Sequence, residues 1–282
     1  MQSAADHDWL TFARDPASGT EAVRAAFHSH AYDPHFHDQV LVGVTERGVQ
    51  GFRCRRRMHH SLPGRVILFE PGDTHDGEAP EAAGFVYRML YFDPAWLSGA
   101  AALCAGRGNG SAAFAFPQVL DDNPALAAAI MTATRQVAAP DSRLHREAAL
   151  DAVVGLLVQA YAGQPLPQSA PRLAARVREA IDAGFAEDIG LDRLAGIAGI
   201  DRFRLSRAFR AAYGLPPHAY LVQRRLNQAR RLLAGGGLPA DVAAATGFAD
   251  QSHLGRWFRR AYGMTPAAYR RACTNLPDSR RG

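Results

Sequence analysis

Short apolar runs broken by turn residues dominate the chain from about residue 20 to residue 92. Residues 39–45 and 65–69, for example, are rich in valine, leucine and isoleucine, and glycine, proline and aspartate separate such runs. Many short strands at this spacing are typical of a small β-barrel or sandwich, so we predict a β-rich module here. Residues 93–123, rich in glycine and alanine, show no clear period and are predicted to form a loop.

Residues 124–162 instead place apolar positions at helical spacing. Between residues 144 and 161 these positions form one stripe, which comprises Leu144, Ala148, Leu150, Val153, Val154, Leu157, Val158 and Tyr161. Such a stripe is buried either on the β-rich module of the same chain or across a dimer interface, and the sequence favours neither. Residues 163–171 hold three prolines among small and polar residues, a composition that predicts a linker.

The chain after this linker contains an internal repeat. An amphipathic helix at 173–183 comes first; a short helix that ends at Gly199 then matches one that ends at Gly247, an offset of 48 residues. The helices that follow match at an offset of 49, so the second turn carries one additional residue. A short helix joined to a second one by a tight glycine turn has the geometry of a helix-turn-helix. The shared positions are Leu205 and Leu254, Arg207 and Arg256, Phe209 and Phe258, Tyr213 and Tyr262, Gly214 and Gly263, Pro217 and Pro266, and Tyr220 and Tyr269.

In each repeat, the helix that follows the turn has an apolar face and a basic face. Arginine reads guanine through two hydrogen bonds in the major groove, and serine, glutamine and histidine can bond bases or phosphates. One such helix could be a solvated basic surface, whereas two copies of the same pattern favour DNA binding. The helix at 217–233 would hold the two recognition helices about one DNA turn apart, roughly 34 Å. The predicted apolar faces comprise Leu205, Ala208, Phe209 and Ala212 in the first copy and Leu254, Trp257, Phe258 and Ala261 in the second.

Charge divides the chain at the same place. Residues 1–171 carry 13 arginines against 18 acidic residues, a net charge of −5, while residues 172–282 carry 19 arginines against 9 acidic residues, a net charge of +10. A basic module of this kind attracts a polyanion. The length of 282 residues allows two cores. No apolar run reaches the roughly 20 residues of a membrane span and no signal peptide precedes the first module, so we expect a cytoplasmic protein without membrane contact.

The second module resembles the AraC family of transcription regulators. The resemblance covers about residues 172–272 and rests on the motifs at 205–209, 225–233, 247–252 and 258–266. It implies seven helices, with recognition helices at about 202–212 and 251–261. It also implies base-edge or groove contacts from Arg202, Phe203, Ser206, Arg207, Gln251, Ser252, His253 and Arg256, and it makes Arg210, Arg259 and Arg260 candidates for phosphate contacts.

Two positions in this module depart from the family pattern. Pro239 stands where the family usually has an aliphatic residue, and proline is well tolerated as the first residue of a helix. Gly255 stands where the family often has a hydroxyl or a larger side chain. A glycine has no side chain to offer a base, so the second helix is the less certain reader at that position.

The first module resembles the cupin-like sensor domain of the same family, in the motifs at 34–38 and 71–75. The resemblance implies that His35, His37 and His75 face into a barrel, where cupin enzymes hold a metal, and neutral imidazoles suit zinc or iron. The glutamate expected after the His-x-His pair is missing, because residues 41–43 are leucine, valine and glycine. We therefore predict an effector pocket or a satisfied polar cluster at these histidines, with no metal and no cofactor.

The predicted fold is α+β with two domains. A small cupin-like β-barrel with flanking helices at 1–162 is followed by a linker at 163–171, an all-α double helix-turn-helix domain at 172–272 and a disordered tail at 273–282. The predicted function is sequence-specific binding of double-stranded promoter DNA under the control of a small-molecule effector, by a homodimer that can contact RNA polymerase. The chain is not predicted to be an enzyme. The alternatives are a cupin-type metalloenzyme and a ligand-independent regulator whose barrel serves only for dimerisation.

Overall fold

The chain forms two compact units, which are described separately. The computed structural model describes residues 8–28, 30–105, 114–139, 143–162, 171–187 and 189–274. The first unit contains most of the strands and the first three helices, and the second contains the last seven helices together with Tyr32–Phe36. The predicted linker, except Pro171, and the predicted tail beyond Thr274 lie outside the described residues.

The strands form two antiparallel sheets. A six-stranded sheet has the order β1-β2-β9-β4-β7-β10, and a four-stranded sheet has the order β3-β8-β5-β6. The central strands of the larger sheet, β9, β4 and β7, are almost entirely buried, as their continuous apolar runs require. The bounds are β1 Trp9–Arg14, β2 Glu21–Phe27, β3 His30–His35, β4 Val40–Gly48, β5 Gln50–Cys54, β6 Arg57–Ser61, β7 Val66–Phe69, β8 His75–Glu78, β9 Phe85–Phe92 and β10 Leu120–Asp121.

The prediction of a loop over residues 93–123 is wrong near both ends, where helix α1 and the short strand β10 lie. Helix α1 runs from Pro94 to Cys104, and the side chain of Asp93 accepts hydrogen bonds from the amides of Ala95 and Trp96. An aspartate cap followed by proline at the first helical position is a strong start signal. The alanine- and glycine-rich helix that follows has no apolar stripe strong enough to reveal its period.

The predicted helices at 124–162 are present as α2, Pro124–Ala138, and α3, Arg143–Tyr161. Helix α3 buries Val153 and Leu157 in the same core as Ile130 of α2 and Leu90 of β9. Most of the apolar stripe is therefore buried within the unit. Leu144, at the start of the stripe, is 70% exposed and takes no part in this core.

Where the second unit is described, its regular structure is helical, apart from Tyr32–Phe36. Each repeat surrounds a buried phenylalanine: the Phe209 ring packs edge-on against Tyr220 with the centroids 5.4 Å apart, and the Phe258 ring lies 5.5 Å from Tyr269. The sequence repeat is thus a repeat in three dimensions, and the predicted fold class is confirmed. The helices are α4 Arg172–Ala183, α5 Leu191–Ala198, α6 Arg202–Tyr213, α7 Pro217–Ala234, α8 Pro239–Ala245, α9 Gln251–Tyr262 and α10 Pro266–Thr274.

Candidate nucleic-acid interface

The turn of the first repeat is fixed by a glycine and an aspartate. Helix α5 ends at Gly199, whose φ of 68° is the left-handed conformation that glycine adopts without strain. Two residues later, the Asp201 carboxylate accepts the amides of Phe203 and Arg204 at 3.0 and 2.9 Å. The hydrogen bond from the Arg204 amide lowers the pKa of Asp201 below its ordinary value. These contacts define where α6 begins.

The turn of the second repeat has the same parts and one extra residue. Gly247 has a φ of 75°, and a Cβ atom there would lie 2.6 Å from the carbonyl oxygen of Ala186, so both backbone and packing require glycine. The carboxylate of Asp250 accepts the amide of His253 at 2.7 Å and begins α9. The additional residue falls between Gly247 and Asp250. The two recognition helices therefore stay in register at an offset of 49.

The buried faces of α6 and α9 correspond at their centres. Leu205 and Phe209 in α6, and Leu254 and Phe258 in α9, are fully buried. The predicted apolar faces are too wide at their edges. Ala208 is exposed, and Ala212, Trp257 and Ala261 are only half-buried. Because alanine loses little when it is exposed, its position on a helix is a weak indicator of the core.

The opposite faces carry equivalent exposed residues. In α6 these are Phe203, Arg207 and Arg210, and in α9 their counterparts are Ser252, Arg256 and Arg259, all of them exposed. Spacings of three and four residues place each set along one side of its helix, opposite the buried leucine and phenylalanine. Arg202 and Gln251 are also exposed at the helix starts, whereas Ser206 is half-buried beside its exposed neighbours. The structure thus brings the predicted residues of each helix to one accessible surface.

An exposed aromatic ring marks the start of α6. Phe203 is 65% exposed, and the Arg202 guanidinium carbon lies 5.1 Å from the centroid of its ring. Apolar side chains in the major groove contact the methyl group of thymine. The ring and its neighbouring cation together offer base-edge or groove contacts at the end of the helix that usually enters the groove.

His253 is held by its own helix. Its Nε2 accepts a hydrogen bond from the Trp257 indole at 2.9 Å, and its ring packs edge-on against Phe248 at 5.4 Å. Nδ1 faces the backbone amide of Ala249 at 3.4 Å, so both ring nitrogens lie against groups of the same unit. Any contact of this side chain with a base therefore displaces one of these two neighbours. The four-residue spacing of His253 and Trp257 is the signal that sequence reasoning missed.

Arginines of α7 serve the fold of this unit. Arg225 donates to the carbonyl oxygens of Phe185 and Glu187 at 2.7 and 2.9 Å. Arg230 is 5% exposed and donates to the Tyr269 hydroxyl at 3.2 Å. These two arginines of α7 thus make hydrogen bonds within the unit. On α9, Arg259 is exposed, and the exposed Arg260 forms an ion pair with Asp33 of the same unit.

The three histidines of the first module's motifs lie together. His35, His37 and His75 are buried, and their ligand atoms lie within 4.8 Å of one another. Nδ1 of His35 is 2.7 Å from the carbonyl oxygen of Asp33, and Nδ1 of His75 is 2.9 Å from that of Asp73. A carbonyl oxygen only accepts, so both Nδ1 atoms carry protons, and Nε2 of each neutral ring carries a lone pair. Together with a neutral His37, these two imidazoles would form a donor set that zinc or iron accepts.

Two family models match the chain. Residues 18–154 match the AraC-like ligand binding domain, and residues 194–272 match a helix-turn-helix domain. The chain belongs to the AraC family of transcriptional regulators. The predictions of the family, of a DNA-binding regulator and of an N-terminal ligand-binding domain are confirmed.

Relatives of this AraC-family regulator span nearly its whole length. It is 28% identical over 242 residues to the uncharacterized HTH-type transcriptional regulator YbfI of Bacillus subtilis (strain 168), covering 85% of this chain and 87% of YbfI. Among solved structures, an apo variant of ToxT from Vibrio cholerae strain SCE256 has a TM-score of 0.55 at 11% identity over 95% of this chain and 98% of that one. Wild-type ToxT with a bound unsaturated fatty acid has a TM-score of 0.54 at 11% identity over 99% of this chain and 100% of that one. At these identities the ToxT structures show the fold alone.

Among the described residues, no helix combines the length and the apolar character needed to cross a bilayer.

Proposed function

We propose that this AraC-family regulator reads promoter DNA with the exposed faces of α6 and α9. The observation that carries the proposal is that Arg207 and Arg256, and likewise Arg210 and Arg259, occupy equivalent positions in the two helices. All four are exposed, on the side opposite the buried residues of each helix. The residues proposed to contact bases or the groove are Arg202, Phe203, Ser206, Arg207, Gln251, Ser252, His253 and Arg256. Those proposed to contact phosphates are Arg210, Arg259 and Arg260.

Selection of bound sequences from a randomised duplex pool tests this proposal. The full-length protein should enrich a site with two half-sites about one helical turn apart, roughly 34 Å. Arg207→Ala should relax the preference in one half-site and Arg256→Ala in the other. Arg193→Ala is the matched control, because Arg193 is an exposed arginine of α5 that pairs with Glu187 and lies outside α6 and α9. Retention of the full consensus by both variants would refute the proposed readers.

Salt dependence separates phosphate contacts from base contacts. Arg259→Ala should weaken binding to all sequences similarly and reduce the magnitude of the salt slope by about 1. Fluorescence anisotropy over a series of salt concentrations measures this slope. A change confined to one consensus sequence would reassign Arg259 to base reading.

We also propose that His35, His37 and His75 form the effector contact of the ligand-binding domain. Their burial and mutual distance support it, because a few convergent polar groups in a buried setting are typical of small-molecule sites. A specific metabolite should raise the melting temperature of the wild type by linkage, and not that of His37→Ala. Stoichiometric zinc or iron in the purified protein, lost in His35→Ala, would instead favour the metalloenzyme alternative over a regulator without enzymatic activity.

The remaining assignments are extensions of this proposal. We propose domains at 1–162 and 172–272 joined by a linker at 163–171, a homodimer, and contact with RNA polymerase at the promoter. The regulator would act in the cytoplasm, where its DNA lies. Sedimentation of the protein alone and with a duplex carrying the selected site tests the homodimer: a monomeric mass in both states would refute it.

A further inference from the structure

A cleft in the first unit carries an excess of positive charge. This arginine cleft has a volume of about 450 Å³ and lies along β1, β2 and the end of α2. Its walls combine Arg24, Arg88 and Arg135 with the apolar side chains of Ala13, Ala22 and Ala138. Ala13 and Ala22 lie on the same face of the sheet as Arg24 and Arg88. The size is within the range of small-molecule sites, roughly 300–1,000 Å³. None of the three clustered histidines lines it.

Two of these arginines share a single carboxylate. Arg24 on β2 and Arg88 on β9 are direct cross-strand partners, an arrangement that is unfavourable for like charges. Both donate to Glu46 of β4: Arg24 through two nitrogens at 2.7 and 2.9 Å, and Arg88 through Nε at 2.9 Å. The hydrogen bond from Arg24 is the main cause that lowers the pKa of Glu46. Arg135 also lines the cleft and adds a third positive charge near Arg88.

Arg88 is the most buried of the three. Its side chain is only 12% exposed, and among the described residues Glu46 is the one acceptor that it reaches, through Nε alone. Burial holds the pKa of Arg88 below its ordinary value, and the charges of Arg24 and Arg135 add to this against the opposing effect of Glu46. A buried cation with cationic neighbours is costly, and an anion in the cleft would relieve that cost.

We propose that the arginine cleft binds an organic carboxylate with an apolar body. The carboxylate lies against the terminal nitrogens of Arg88, whose planar guanidinium matches two oxygens, and Arg135 supplies further positive charge at the rim. The apolar body packs on Ala13, Ala22 and Ala138. Glu46 keeps Arg24 and Arg88 in place and leaves the terminal nitrogens of Arg88 directed to the ligand.

Calorimetric titration of the full-length protein tests this site with octanoate and 4-phenylbutanoate and with their neutral amides. The carboxylates should bind and the amides should not. Arg88→Gln should weaken carboxylate binding by about tenfold or more, the loss expected for a hydrogen bond to a charged group. Arg135→Gln, at an exposed position outside the ion pair with Glu46, should weaken it by less and tests the site even if Arg88→Gln does not fold. Arg65→Gln is the control, because Arg65 pairs with Asp122 away from the cleft.

Each other outcome overturns the proposal. Absence of binding by both carboxylates, or equal binding by the amides, would show that the charge excess recognises no such ligand. Equal weakening of carboxylate binding by Arg65→Gln and Arg88→Gln would show that binding depends on the net charge of the protein alone. Tight binding of inorganic phosphate with the same dependence on Arg88 would show that the cleft binds anions without a contribution from its apolar wall. None of these outcomes bears on DNA binding by α6 and α9.

Discussion

The two recognition helices share a scaffold and differ at their surfaces. Both begin at an aspartate cap, end at a left-handed glycine and bury one leucine and one phenylalanine. The exposed start of α6 presents Arg202 and Phe203, whereas the start of α9 presents Gln251 and Ser252, and α9 has two adjacent arginines near its end. Packing fixes the buried positions alike in both copies, while the exposed positions are free to diverge. The comparison teaches that α6 presents a cation and an aromatic ring at its start, where α9 presents neutral polar groups.

The largest expected effect tests the shared scaffold. Phe209→Ala and Phe258→Ala each remove a fully buried ring, so each should lower the free energy of unfolding by about 3–5 kcal/mol. Urea unfolding of the full-length variants measures this loss. Phe203→Ala, at an exposed position, is the control and should leave stability nearly unchanged. A loss confined to one of the two buried positions would break the equivalence of the repeats.

The next effect tests the two readers. Arg207→Ala and Arg256→Ala should each cost about 1–3 kcal/mol of binding free energy on the selected duplex. The losses should map to different base pairs, because the two arginines belong to different helices. Duplexes with single base changes, titrated against each variant, measure this. If both variants lost discrimination at the same base pairs, the two helices would not occupy separate half-sites.

A smaller effect tests the caps. Asp250→Ala should lower the free energy of unfolding by about 1 kcal/mol, and Asp201→Ala should lower it as well, since each leaves helix amides without an acceptor. Because the pKa of Asp201 is lowered in the folded state, its contribution is present above its unfolded pKa and is lost as the pH falls through the folded value. Urea unfolding at neutral and acidic pH measures both effects. Asp201→Asn, which keeps a capping oxygen, should restore most of the loss at neutral pH.

The smallest effect tests the open space beside Gly255 in α9. Nothing lies within 4 Å of a Cβ atom built on Gly255, so Gly255→Ser should be tolerated and should stabilise the helix by about 0.5 kcal/mol. It would also give α9 the serine that α6 has at Ser206. Gly247→Ala is the contrasting variant and should destabilise the protein, because its φ and its contact with Ala186 exclude a side chain. Loss of stability in Gly255→Ser would show that the open space has another occupant.

Local signals account for what the sequence predicts well. The repeat, the caps at Asp201 and Asp250 and the buried leucines and phenylalanines depend on residues a few positions apart, and they specify the DNA-binding face. The start of α1 at Asp93 was also a local signal, but its alanine-rich composition concealed the helix. The arginine pair of β2 and β9 depends on strand register, and the bonds of Arg225 and Arg230 reach residues about 40 positions away. Such contacts exist only after the chain has folded.

The extra residue between Gly247 and Asp250 has a consequence for protein engineering. The extra residue lies before the cap and not within the helix, so the two recognition helices have the same length. Each is bounded by its own aspartate cap and its own terminal glycine, and one can therefore replace the other as a whole. Transplanting residues 202–213 in place of 251–262 would carry the first helix's reading surface to the second half-site while the turn behind it remained unchanged.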